Sequence, residues 1–78
     1  MNEMEFDALR KVTAAVLGMD TDEIELEMDF VSNLGADSLD LYQIFIGVED
    51  ELGVTIPSEE VESVKTVRDA VELIKQRM

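Results

Sequence analysis

The 78-residue chain contains no cysteine, no histidine and no tryptophan, and only one proline and one tyrosine. Without cysteine there is no disulfide framework, no thiolate nucleophile and no thiolate metal site. Without histidine the commonest general base and the commonest neutral metal ligand are missing as well. No Ser/His pair, glycine-rich phosphate loop or metal-ligand cluster remains to carry catalysis, and the carboxylates fall on faces expected to be exposed, so paired-acid chemistry is not set up either. The reading is a protein that is not an enzyme. No apolar run approaches membrane-spanning length, and the amino terminus lacks a basic stretch followed by an apolar one. A soluble, cytoplasmic protein that does not insert into membranes is expected.

Positive charge is scarce: six Lys and Arg stand against nineteen Asp and Glu, for a net charge of -13. Between Asp20 and Glu62 there are fourteen acids and no base, while Arg10, Lys11, Lys65, Arg68, Lys75 and Arg77 fall in the first and last helical segments. Such a potential repels nucleic acid and anionic membranes and steers basic partner proteins toward the chain. Disorder is the common fate of an acidic run, but these acids alternate with periodic Leu, Ile, Val and Phe that can be buried. At this length the chain forms one small domain, 1–78, expected to be a monomer, with a core that is mainly aliphatic because only three Phe and one Tyr are present.

What is present is helical periodicity. Asn2 followed by Glu5 reads as a capping box, and Phe6, Leu9, Val12 and Val16 then recur at helical spacing up to Leu17, with Gly18 ending the helix. Residues Met19 to Asp37 form a long connection, with a short helical turn expected near Asp20 to Ile24 and with Leu26, Phe30 and Leu34 pinning the loop to the bundle. A second helix spans Ser38 to about Leu52. Its apolar residues cover most of the circumference and leave Asp40, Gln43, Gly47 and Asp50 as the stripe a partner can read. Gly47 suits either a close backbone approach or a harmless exposed position. Val54 to Ile56 read as a loop burying Val54 and Ile56, Ser58 as the cap of a short helix running to about Ser63, and Thr66 with Asp69 as the capping box of the last helix, buried through Val67, Ala70, Val71 and Ile74. The fold class is all-α, a small four-helix bundle of three longer helices and one short one, with a long loop between the first two.

Two motifs invite chemistry. Asp20-Thr21-Asp22 opens like an EF-hand loop, but Glu25 stands at position 6, where Gly is required, and Val31 at position 12, where a bidentate Glu is required. No metal site is assigned, although loose binding of divalent cations to clustered carboxylates stays open. The second motif is Asp37-Ser38-Leu39-Asp40. Asp37 is a good N-cap with an acid three residues on, which puts Ser38 at the first helical position. A hydroxyl there projects from a helix end with unpartnered N–H groups and roughly half a positive charge, where a phosphate is welcome. Local geometry alone leaves two readings open, a plain helix cap and an anchored anion.

Leu34-Gly35-Ala36-Asp37-Ser38-Leu39-Asp40, followed by Glu49-Asp50-Glu51-Leu52-Gly53 and Ile56-Pro57, resembles an acyl carrier protein of the dissociated fatty-acid-synthase type over nearly the whole chain. The resemblance implies that Ser38 carries a 4′-phosphopantetheine arm, added from coenzyme A by a phosphopantetheinyl transferase, and that acyl groups ride on the arm's thiol as thioesters. It implies basic-patched partners of fatty-acid or related acyl biosynthesis, including ketosynthase, acyltransferase and reductases. They would dock on Asp37, Asp40, Gln43, Glu49 and Asp50, with Glu59 and Glu60 secondary. Leu41, Phe45, Ile46, Ile56, Val61, Val67 and Val71 are the candidate lining for an acyl chain, against the alternative of a filled core. Two positions depart from the family's usual pattern: Gln43 where Glu is usual, and Tyr42, four residues beyond Ser38, where a small aliphatic is usual. They point to a specialised polyketide or cell-envelope carrier as an alternative. An acidic interaction module that is never modified is the competing class.

Overall fold

The computed structural model describes residues 4–78. Four helices follow in order: α1 (Met4–Leu17), α2 (Ser38–Leu52), α3 (Ser58–Val61) and α4 (Val67–Gln76), with a single 3-10 turn at Thr21–Glu23 in the long connection. The expected four-helix bundle and the turn near Asp20 are both present. The Asn2 half of the first expected cap lies outside the described residues.

Two of the three longer helices, α2 and α4, have a local reason to start where they do. At α2 the Asp37 side chain accepts from the Asp40 amide at 2.9 Å and the Asp40 side chain accepts from the Asp37 amide at 3.2 Å, a complete capping box. At α4 Thr66 and Asp69 do the same. The short α3 departs from expectation. Its cap position is Pro57, extended at φ -62 and ψ 141, and Ser58 is already helical without capping anything. Proline's fixed φ and missing N–H suit the approach to a helix, so no side-chain cap is needed there. The helix ends at Val61 rather than Ser63, with the Ser63 hydroxyl donating back to the Glu60 carbonyl at 2.8 Å.

One core joins all four helices. Leu9 of α1, Ile44, Phe45 and Val48 of α2, Val61 of α3, and Val67, Ala70, Val71 and Ile74 of α4 are buried together. The long loop is part of this core: Phe30 and Ile24 are fully buried, and Leu26 and Leu34 pack against the cluster. The radius of gyration, 11.0 Å, is close to the roughly 11.5 Å of a compact chain this long, so nothing described trails away from the body.

Main-chain bonds stitch the loop to the last helix. Phe30 N–H donates to the Lys65 carbonyl, Val67 N–H to Met28 and Arg68 N–H to Leu26, all within 3.0 Å, around an isolated antiparallel bridge between Asp29 and Thr66. Asp29 organises the turn beyond it, its carboxylate accepting from the amides of Val31 and Ser32 at 2.8 and 2.9 Å. Those backbone bonds hold its pKa below the usual carboxylate value against an opposing effect of partial burial, and the charge of Lys65 helps.

The stripe expected on α2 needs correction. Gly47 faces α1, where a Cβ would come within 2.5 Å of Val12 Cγ1. Of the two readings of this glycine, the close approach is the one realised. The outward face instead runs Leu39, Gln43, Ile46 and Asp50, at steps of four, three and four. Leu39 is 64% exposed and Ile46 62%. A bundle this small covers α2 mainly from α1 and α3, so even a mostly apolar helix keeps one side in water.

Candidate functional site

The approach to Ser38 is held rigidly. Ala36 is buried and its amide donates to the Phe30 carbonyl at 2.8 Å. Gly35 sits just before it at φ +71, a left-handed turn that a residue with a Cβ enters only with strain. Its N–H reaches the Val31 carbonyl at 3.2 Å. The chain is thereby turned so that Asp37 takes the cap position and Ser38 becomes the first residue of α2.

Ser38 is exposed, and no hydrogen bond among the described residues engages its hydroxyl. The box occupies the Asp40 amide, and the Leu41 amide bonds the Asp37 carbonyl at 3.0 Å. The amides of Ser38 and Leu39, ahead of them in the first turn, are the donors left for an incoming anion. A phosphodiester on the serine oxygen fits this position: it meets free N–H donors and the positive end of a fifteen-residue helix.

The expected docking residues divide by what they already do. Gln43 and Asp50 are exposed on the outward face of α2. Asp37 and Asp40 each give one carboxylate oxygen to the cap and keep the other. Glu49 is half-buried, and its Oε2 accepts from the Ile56 amide at 2.7 Å, holding the loop that leads into α3. Of the secondary pair, Glu59 is exposed, while Glu60 is half-buried and ion-paired to Arg77 of the chain end.

Base–acid pairs lie away from this face. Lys11 meets Glu51 at 3.2 Å between α1 and the end of α2, and Arg68 meets Glu27 at 2.7 Å between α4 and the long loop. Arg10 meets Asp7 within α1 at 2.7 Å. The acids around Ser38 thus retain their charge toward solvent.

The expected acyl lining is mostly interior. Leu41, Phe45, Ile56, Val61, Val67 and Val71 are all buried in the common core and touch one cluster. Ile46 is the exception: at 62% exposure it is turned to solvent, three residues along α2 from Gln43, and it does not line the interior. The grooves lie elsewhere. One of about 380 Å³ runs between α3 and α4 past Glu60, Val64 and Leu73, and another of about 310 Å³ lies between α1 and α2 near Ala8 and Leu52.

Sequence reading missed the two exposed apolar residues of α2. The signal that finds them is the four-three-four spacing of Leu39, Gln43, Ile46 and Asp50, which puts two polar residues on the same face as both. Tyr42, singled out by its position relative to Ser38, is half-buried, and its hydroxyl donates to Glu62 Oε2 at 2.7 Å. That bond raises the tyrosine pKa, and desolvation and the Glu62 charge add to the effect.

Fold and site define a small acidic helical domain that presents an open serine at the tip of its central helix. Residues 7–74 match the family described as phosphopantetheine attachment site. The chain is 44% identical over 71 residues to an acyl carrier protein of Clostridium perfringens, covering 91% of this chain and 93% of that protein. It is 40% identical over 72 residues to acyl carrier proteins of Clostridium acetobutylicum, at 92% and 94% coverage, and of Treponema denticola, at 92% and 92%. The chain belongs to the phosphopantetheine attachment-site family, among its acyl carrier proteins. The family is one of carriers rather than catalysts. Among the described residues no helix is long and apolar enough to cross a membrane.

Proposed function

We propose that this chain carries acyl groups as thioesters on a 4′-phosphopantetheine arm attached through the Ser38 hydroxyl, and delivers them to enzymes of fatty-acid or related acyl biosynthesis in the cytoplasm. The observation that carries the assignment is the exposed, unengaged Ser38 at the first position of α2, inside the family match over residues 7–74. The bound arm supplies the thiol that this cysteine-free chain lacks. The chain's own residues do the rest. Asp37 and Asp40 fix the helix start so that the serine is left exposed, and the free amides beside it are placed to donate to the phosphate oxygens.

The docking face combines charge with apolar contact. Asp37, Asp40, Gln43 and Asp50 surround exposed Leu39 and Ile46, a pattern that suits a partner with an apolar patch rimmed by Lys and Arg. Charge speeds the encounter, and the small apolar contact keeps the complex short-lived, as a carrier that visits a transferase and then several synthetic enzymes requires.

The test is mass spectrometry of the intact protein after incubation with coenzyme A and a broad-specificity phosphopantetheinyl transferase. One arm on the wild type and none on Ser38→Ala is the expected result. An unchanged wild-type mass, as an unmodified interaction module gives, overturns the assignment.

A further inference from the structure

The face of α2 that begins at Ser38 continues through Tyr42 to Phe45, at steps of four and three residues. Exposure falls along it, from the open serine through the half-buried tyrosine to a phenylalanine only 2% exposed. An apolar group tethered at Ser38 therefore reaches the interior along this face by passing Tyr42. There the tyrosine hydroxyl reaches across to Glu62, the C-cap residue just after α3. Among the described residues this is the side-chain hydrogen bond that joins α2 to α3. α3 is one turn long, with Val61 buried at its end and Ile56 buried two residues before it begins. It is the shortest of the four helices, and among the helices it packs chiefly on α2.

Resting on the carrier reading above, we propose that the Tyr42–Glu62 hydrogen bond is a clasp across the α2–α3 seam that sets the shortest acyl chain the bundle takes up. Leaving water favours burial of a tethered chain by about 4-fold for each methylene. Opening the clasp opposes burial by a fixed factor that does not grow with the chain. A gain that rises with length, set against a constant opposing factor, produces a threshold. Short acyl groups stay in solvent, and longer ones enter between the helices. A hydrogen bond worth about 5-fold in the equilibrium moves that threshold by about one methylene.

The experiment loads wild type, Tyr42→Phe, Glu62→Ala and the double variant with the arm and then with saturated acyl groups lengthened one carbon at a time. The thermal midpoint of each acylated form is compared with its own unacylated form. Tyr42→Phe keeps the ring and removes only the hydroxyl, so its unacylated midpoint checks that the fold is intact. The expected result is that stabilisation begins at an acyl length about one to two carbons shorter in both single variants, with no further shift in the double variant. The same onset in all four proteins, or a shift in only one single variant, overturns the clasp. Failure of any arm to attach at Ser38 shows first in the intact mass and removes the carrier reading and the clasp together. An arm that attaches with an unmoved onset removes the clasp alone.

Discussion

Gly47 of α2 and Val12 of α1 approach so closely that a Cβ on the glycine would stand 2.5 Å from Val12 Cγ1. In an exposed helix Gly→Ala is worth about 1 kcal/mol of added stability. Here it forces a β-branched side chain with few alternative rotamers to move, so Gly47→Ala is expected to destabilise by about 1–2 kcal/mol. In a Val12→Ala background the same substitution becomes neutral or stabilising. Urea unfolding of the four proteins of this double-mutant cycle measures the reversal; a stabilised Gly47→Ala single variant would show that the helices have room to spare.

Thr13 is completely buried in α1, and its hydroxyl has no hydrogen-bond partner among the described residues. A buried polar atom left unmatched costs about 1–3 kcal/mol. Thr13→Val keeps the shape and removes the orphan, and raises the unfolding free energy by about 1 kcal/mol. Equal or lower stability in the valine variant contradicts this, and would point to a partner for the hydroxyl.

At a net charge of -13 the folded chain repels itself. Its thermal midpoint rises with added sodium chloride through screening, and rises further with magnesium at the same ionic strength, because divalent ions also associate loosely with clustered carboxylates. A midpoint indifferent to both removes self-repulsion as a significant term.

Two groups give opposite pH signatures. Backbone bonds to the Asp29 carboxylate lower its pKa in the folded chain, so its contribution is present above the ordinary Asp value and is lost as pH falls through the folded value. The stability gap between wild type and Asp29→Ala is therefore wide at neutral pH and closes in acid. Tyr42 is raised instead, chiefly by its bond to Glu62. Its contribution is present below the ordinary tyrosine value and is lost as pH climbs through the folded one, so the gap to Tyr42→Phe closes in strong alkali. Comparing each variant with wild type at every pH cancels the titration of the other acids.

On the proposed docking face, Asp50 is the cleanest charge to reverse, because it is exposed and its carboxylate has no hydrogen-bond partner among the described residues, whereas Asp37, Asp40 and Glu49 all hold backbone amides. Asp50→Lys is expected to slow acyl transfer from a basic partner several-fold at low salt and to matter little at high salt. Leu39→Ala or Ile46→Ala weakens transfer at both. Rates insensitive to all three, measured by single-turnover transfer, would move docking off this face.

What could be read in advance depended on how local the cause was. The capping boxes Asp37/Asp40 and Thr66/Asp69 need only residues three apart, and both formed as the sequence suggested. The first helical position of Ser38 follows from the former. Gly47 was ambiguous because its neighbour, Val12, is thirty-five residues away in the chain. Ile46 looked like lining because apolar residues surround α2, and only the placement of α1 and α3 decides which of them face water. Glu49 reads as a surface acid until the loop after α2 folds back and offers it the Ile56 amide. Ser58 has a capping side chain, yet proline's geometry had already fixed the start of the short helix one residue earlier.

The bridge between Asp29 and Thr66 has an implication for when the serine becomes usable during synthesis. The platform beneath Ser38 borrows backbone partners from 65–68, which leave the ribosome well after the serine itself. A nascent chain halted before that segment has Asp37, Ser38 and Asp40 but no anchored Phe30 beneath them. On the carrier reading, arm attachment at Ser38 is accordingly expected to need residues 65–68 in place; full attachment, read by intact mass, to a chain truncated before Lys65 would contradict this.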